Sequence, residues 1–222
     1  ASARRVFDLL DAQEIKPDPA DAEVIQDPQG SIEFDDVAFS YDPKHPLLSH
    51  ISFKAEPGQK IALVGPTGCG KTTLINLLLR FYSIDSGAIY VDGHNTQKLT
   101  RASLREQFGM VLQDTWLFKG TIKENIRYAK PDATDEEIIA AAQKAQAHEF
   151  IQQLPQGYDT MVGESGGSLS QGQQQLLCIA RVMLANPPIL LLDEATSSID
   201  TRTEQLVQKA FDTIMNGRTS LV

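Results

Sequence analysis

Eight consecutive residues, Gly65-Pro66-Thr67-Gly68-Cys69-Gly70-Lys71-Thr72, carry the clearest chemical pattern in this chain. Glycines at both ends of such a run let backbone N–H groups turn toward one point, and a lysine and a hydroxyl residue follow at fixed spacing. That combination suits a polyphosphate. The amides and the dipole of a following helix face the anion, Lys71 reaches its outer phosphates, and the Thr72 hydroxyl offers a hard oxygen to Mg²⁺. The bland alternative is a glycine-rich turn with an incidental Lys-Thr. It is remote, because an apolar run precedes the loop and a helical pattern follows it. Further along, Ile189-Leu190-Leu191-Leu192 ends in Asp193-Glu194. Carboxylates at the C-terminal end of a parallel strand fall where open α/β sheets bind ligands. Asp193 suits hydrated Mg²⁺, and Glu194 is placed to polarise an attacking water. Alone, the pair could be acids closing a buried strand; beside the loop, that reading weakens.

Positioning these groups requires strands and helices in alternation. Ile32, Phe34, Val37, Phe39 and Tyr41 alternate with polar residues as a half-buried strand does, and Ile51-Ser52-Phe53 gives a second strand before the Pro57-Gly58 turn. The continuous apolar run Ile61 to Val64 predicts a strand buried on both faces. A helix is expected from Lys71 to about Phe81, with Leu74, Ile75, Leu77 and Leu78 inward. Strands are expected at Ile89–Val91, Gly109–Leu112, Ile189–Leu192 and from Thr219. Residues 120–185 read as mostly helical, with a Thr134/Glu137 capping box ahead of one helix. A long helix is expected over Gln171–Ala185, stopped by Asn186-Pro187-Pro188, and another around Arg202–Met215. Such strand–helix units imply a parallel sheet covered by helices.

Composition narrows the class further. The 222 residues are 41% hydrophobic and 22% charged, as in ordinary globular domains, and no apolar run has the length of a membrane span. A formal charge of −9 argues against a nucleic-acid-binding face, so no nucleic-acid partner is expected. Cys69 and Cys178 sit on unrelated segments without metal-ligand spacing, which fits free thiols in a reducing compartment. Residues 1–30 differ from the rest. Val6, Phe7, Leu9 and Leu10 give a helical hint, and Pro17, Pro19 and Pro28 with six acids between Asp11 and Asp27 read as an extended acidic linker or a frayed terminus. The chain does not open with Met, and it is expected to be a fragment.

From about residue 31 onward the sequence resembles the nucleotide-binding domain of ATP-binding cassette (ABC) transporters, with motifs in the family's order. Tyr41 matches the aromatic that stacks on adenine, although a tyrosine there is also a common strand residue. Gly65, Pro66, Thr67, Gly68, Cys69, Gly70, Lys71 and Thr72, with Thr73 behind them, match the phosphate loop. Gln113 matches a glutamine that contacts Mg²⁺ and the water. Leu169-Ser170-Gln171-Gly172-Gln173 matches the family signature, with Gln171 where glycine is usual. Asp193 and Glu194 match the Mg²⁺ and catalytic acids, and Ser197-Ser198-Ile199-Asp200 matches a loop that runs between protomers. Gly163-Glu164-Ser165-Gly166 matches a loop ahead of the signature more weakly. Ser170 and Gln173 also form a capping-box pattern, and Asp200 could cap the helix after it; both roles can coexist with the family's.

The resemblance implies an α/β fold: a P-loop NTPase core with a mostly parallel sheet, an antiparallel β subdomain and an inserted α-helical subdomain over about 120–187. Residues 1–30 would be a linker from an absent membrane domain, and 31–222 a nucleotide-binding domain truncated before the family's switch histidine. The cofactors would be ATP and Mg²⁺. Catalysis would rest on Glu194, Gln113 and Lys71, and metal binding on Thr72, Gln113 and Asp193. Ser170, Gly172, Gln173 and Asp200 would act on ATP held by a second nucleotide-binding domain. The stretch Gln113–Ile126 is similar to the exporter segment that meets the transmembrane domain, and Trp116-Leu117-Phe118 there reads as a docking surface or as local core. The implied function is an exporter's ATPase at the cytoplasmic face of a cell membrane. The alternatives are a soluble ABC ATPase of DNA repair or translation, and a degenerate regulatory half.

Overall fold

The computed structural model describes residues 4, 6–7, 10–12, 17–112, 115–163, 169–192 and 200–222. Its first sheet is antiparallel, ordered β2-β1-β4-β5, from β1 (Ile32–Phe39), β2 (Leu48–Ala55), β4 (Ser86–Val91) and β5 (His94–Asn95). The alternation in β1 does what the pattern predicts: Ile32, Phe34, Val37 and Phe39 are all buried on one face. Phe34 stacks across the strand pair on Phe53 of β2, with ring centroids 4.6 Å apart.

The second sheet is parallel and ordered β3-β10-β9-β6, from β3 (Lys60–Ile61), β6 (Phe108–Val111), β9 (Ile189–Leu192) and β10 (Thr219–Leu221). All four residues of β9 are buried, as a strand flanked on both edges and covered on both faces must be. The expected strand at Ile61–Val64 is corrected here. Regular pairing covers Lys60–Ile61 alone, and Val64 is 91% exposed. Among the described residues β3 pairs only with β10, so it is an edge, and the apolar run turns outward toward the phosphate loop instead of staying between two layers.

Helix α1 (Lys71–Leu78) is shorter than its sequence pattern. It ends because Arg80 takes a left-handed φ of 56°, and the Phe81 N–H turns back to the Asn76 carbonyl. Leu77 and Leu78 are buried, whereas Leu74 and Ile75 are only partly so. After α2 (Arg101–Glu106) and β6, the helical region comprises α3 (Ile122–Arg127), α4 (Asp135–Lys144), α5 (His148–Gln153) and α6 (Gln171–Ala185), with a short hairpin of β7 (Gly120–Thr121) and β8 (Met161–Val162). The Thr134/Glu137 capping box forms, and a second one, Thr121/Glu124, opens α3. Asn186 stops α6 in a left-handed conformation before the prolines. Helix α7 (Thr201–Met215) packs on α6 and buries Val207, Phe211 and Ile214.

Residues 17–31 are extended and run along the domain. The Glu23 N–H donates to the Lys98 carbonyl, the Ile25 N–H to Ser103 Oγ, and Asp18 accepts from the Arg101 amide and guanidinium at 2.9 and 2.6 Å. Asp92, in the turn after β4, accepts from the N–H groups of Gln29, Gly30 and Ser31 at 2.7–3.1 Å. One carboxylate therefore holds three successive amides at the entrance to β1. Replacing it, Asp92→Ala, is expected to cost about 1–2 kcal/mol, the scale of lost charge-assisted hydrogen bonds, and thermal denaturation should show a melting point lower by a few degrees.

Candidate nucleotide site and signature helix

The phosphate loop joins the edge of the parallel sheet to α1. Gly70 is the N-cap of that helix, in a left-handed conformation (φ 100°), and no side chain caps the first-turn amides. A Cβ at Gly70 would lie 2.8 Å from Leu48 Cδ2 on a backbone whose φ of 100° strains any L side chain, and one at Gly65 would lie 2.5 Å from Cys69 Sγ, so that thiol would have to move. Pro66, Thr67, Gly68 and Cys69 are exposed. The result is an open helix N-terminus ringed by backbone, the arrangement that favours an anion.

Lys71 folds back over this loop. Its ammonium donates to the Gly65 carbonyl at 2.5 Å and the Pro66 carbonyl at 3.2 Å, and lies 3.8 Å from Cys69 Sγ. A phosphate would thus replace carbonyl acceptors already in place, and Lys71 needs only local rotation to reach one. Lys71 and the exposed Thr72 line a cleft of about 340 Å³ together with Leu63, Val64, Leu192 of β9, and Leu221 and Val222 at the end of β10. The C-terminal ends of two parallel strands and the start of α1 thus meet at one place. Leu192 directly precedes Asp193 in the chain. Asp193, Glu194 and Gln113 lie outside the described residues, as do Ser197–Ile199 and Glu164–Gly166.

Tyr41 stands two residues beyond β1 and is 56% exposed. Its hydroxyl is 3.2 Å from Oγ1 of Thr73, which is buried in the first turn of α1. An exposed aromatic ring and the start of α1 therefore lie beside one another.

The signature stretch starts α6, and its capping box is formed. The Ser170 N–H donates to Gln173 Oε1 at 3.0 Å, and the Gln173 N–H donates to Ser170 Oγ at 3.3 Å. Ser170 is exposed and Gly172 is buried. None of residues 169–173 lines the cleft around Lys71. Asp200 caps α7, its carboxylate accepting from the Thr203 N–H at 3.0 Å, and those backbone donors lower its pKa. The capping alternatives for Ser170 and Asp200 are therefore real, and they leave both side chains on helix N-termini.

The sequence reading overlooked a group behind the aromatic stretch at 116–118. Leu117 is core, at 1% exposure, whereas Trp116 stands 56% exposed. Arg181 of α6 lies under it, donating to the Trp116 carbonyl, the Asn125 carbonyl and Asn125 Oδ1 at 2.5–2.6 Å. The rings of Trp116, Phe118 and Tyr128 stand about its guanidinium at 5.8–6.0 Å. Burial lowers the Arg181 pKa, but a guanidinium titrates so high that it stays charged. Asn125, fully buried, also donates to the Phe118 and Thr121 carbonyls. Sequence signals for both were present: one cation in the apolar run Cys178–Leu184, and one amide between Ile122 and Ile126.

Comparison with known proteins agrees with this architecture. Residues 48–197 match the family described as ABC transporter. The chain is 54% identical over its whole length to an uncharacterised ABC transporter ATP-binding protein, YfiC, of Bacillus subtilis. It is 52% identical to a fatty acid ABC transporter ATP-binding/permease protein of Mycobacterium bovis, and 50% identical over 98% of its length to a putative multidrug export ATP-binding/permease protein of Staphylococcus aureus. It spans 37%, 35% and 38% of the lengths of those relatives. A bacterial Atm1-family ABC exporter solved with ATP bound superposes with a TM-score of 0.87 at 42% identity, over 99% of this chain and 38% of that one. With its parallel core, antiparallel sheet and helical region arranged as in that exporter, the chain belongs to the ABC transporter family.

Proposed function

We propose that this chain is the ATP-binding and ATP-hydrolysing motor of an exporter-type ABC transporter, working at the cytoplasmic face of a membrane. The observation that carries the reading is the cleft in which Lys71 and Thr72 meet the ends of β9 and β10, beside the exposed ring of Tyr41. Adenine would rest on Tyr41, and the triphosphate on the amides of Gly65–Thr73. Thr72 presents an exposed hydroxyl in the cleft, a hard oxygen suited to Mg²⁺, and would hold the ion with Asp193 and Gln113. When bound, Mg²⁺ supplies charge neutralisation across the outer phosphates. Lys71 would trade its two carbonyl acceptors for phosphate oxygens and so offset charge that develops in the transition state. Glu194 would orient the attacking water.

Hydrolysis on this reading takes two domains, head to tail. Ser170, Gly172 and Gln173 lie on a pre-formed helix N-terminus outside the chain's own cleft, which fits a role on the nucleotide of a second nucleotide-binding domain. Asp200 would act across the same interface. The transmembrane partner would dock over Gln113–Ile126. Supporting this, Trp116 is exposed and its ring lies 6.2 Å from that of Tyr128, which with Arg181 lines a neighbouring groove of about 570 Å³. Among the described residues no helix is long and apolar enough to cross a membrane, so spanning segments would come from elsewhere.

Two outcomes test this. Glu194→Gln should keep ATP binding, measured with a fluorescent nucleotide, and lower ATPase turnover in the full-length protein by about 10² or more, the scale of losing a general base. Unchanged turnover would remove Glu194 from the mechanism. A maleimide should label exposed Cys69 and block nucleotide binding, and ATP should protect Cys69 but not Cys178, whose thiol is partly buried with its pKa raised by that burial. Labelling of Cys69 that is equal with and without ATP would count against the loop assignment.

A further inference from the structure

The turn that follows α1 carries an aromatic side chain to which the proposed mechanism gives no role. Tyr82 lies in this turn and is 46% exposed. Its ring stands perpendicular to that of Tyr41, with centroids 5.1 Å apart and planes at 90°. Phe39, buried at the end of β1, meets Tyr41 in the same way at 4.8 Å and 85°, and Tyr82 closes the triangle on Phe39 at 5.8 Å. Edge-to-face pairs at these separations are attractive and directional, so they select one ring plane over others. The turn is independently tied to the strand that delivers Tyr41. The Asp85 N–H donates to the Ala38 carbonyl at 2.9 Å, and Ser40 Oγ donates to the Asp85 carboxylate at 2.6 Å.

From this geometry we infer that Tyr82 is a positioning residue for nucleobase recognition, acting through Tyr41. Stacking on a purine depends on the plane and location of the receiving ring. An exposed tyrosine just past a strand end would otherwise sample several rotamers and lose that order on each binding event. Perpendicular contacts with Phe39 and Tyr82 restrict the plane of the ring, and the contact with Thr73 holds its hydroxyl, so the platform is set before any ligand arrives. The two ends of one eight-residue helix then serve the two halves of the ligand: the N-terminus of α1 takes the phosphates, and the turn after its C-terminus braces the ring that receives the base. This inference rests on the proposed role of Tyr41 as the adenine platform, and its test separates the two.

In the full-length protein, Tyr82→Ala is expected to raise the KM for ATP about five-fold, the factor that one aromatic pair contributes, with kcat unchanged. Tyr82→Phe, which keeps the ring, should restore the original KM. Inhibition by inorganic tripolyphosphate, which has no base, should be the same in all three proteins, and Tyr41→Ala should reproduce the base-dependent loss. If Tyr41→Ala raises KM and Tyr82→Ala does not, the brace is overturned while the platform stands. If neither does, the platform reading falls and takes the brace with it. Equal weakening of ATP and tripolyphosphate by Tyr82→Ala overturns the inference too, because it means damage to the phosphate loop itself.

Discussion

Strand β9 is the constraint on which the rest of the domain depends. Its side chains alternate between two hydrophobic cores: Leu190 and Leu192 join the one built from the helices, while Ile189 and Leu191 join the one built from the antiparallel sheet and α1. Its backbone is paired on both edges, to β10 and to β6. Two cores and two strands are thus indexed to four residues, and a slip of one residue would exchange the faces of all four. That indexing brings Leu192 to the cleft that also holds Lys71 and Thr72, and it is why an acid pair after the strand is informative.

A second, polar constraint orders the helical region. Arg181 is one charge set among apolar neighbours on α6, and its donors are spent on the carbonyls of Trp116 and Asn125 and on the Asn125 side chain. A buried guanidinium without acceptors would be costly, so α6 and the 116–125 segment can pack in few other ways. The same helix begins at the signature, where Gln174 donates to the Leu169 carbonyl and accepts from the Thr115 hydroxyl. One rigid element therefore connects the signature stretch to the aromatic surface proposed for docking.

Much of this was legible in the sequence, for identifiable reasons. Periodicity located β1, α6, α7 and β9 because each buries a continuous face, and cap residues such as Thr134, Ser170 and Asp200 marked helix starts because first-turn amides need acceptors. The run at Ile61–Val64 misled because burial on two faces needs a packed layer above and below the strand, which composition does not reveal. Residues 17–31 read as acidic linker, but which cations and amides their carboxylates and backbone would meet depends on the packed surface. The roles of Arg181 and Tyr82 are tertiary in the same sense. Each acts through partners more than 30 positions away in the chain or on a different element, and no local pattern encodes that.

The folded-back Lys71 carries a consequence for selectivity. The ammonium has two carbonyl partners, so a ligand would have to compete with Gly65 and Pro66 for it. A ligand must return at least as much acceptor capacity as Gly65 and Pro66 surrender. A lone carboxylate could match those two acceptors but would leave the loop's amides unanswered, whereas adjacent phosphoryl groups would offer oxygens to the ammonium and to the first-turn amides of α1 together. On the proposed reading, the loop would favour ligands whose oxygens are numerous and closely spaced over those that carry negative charge alone.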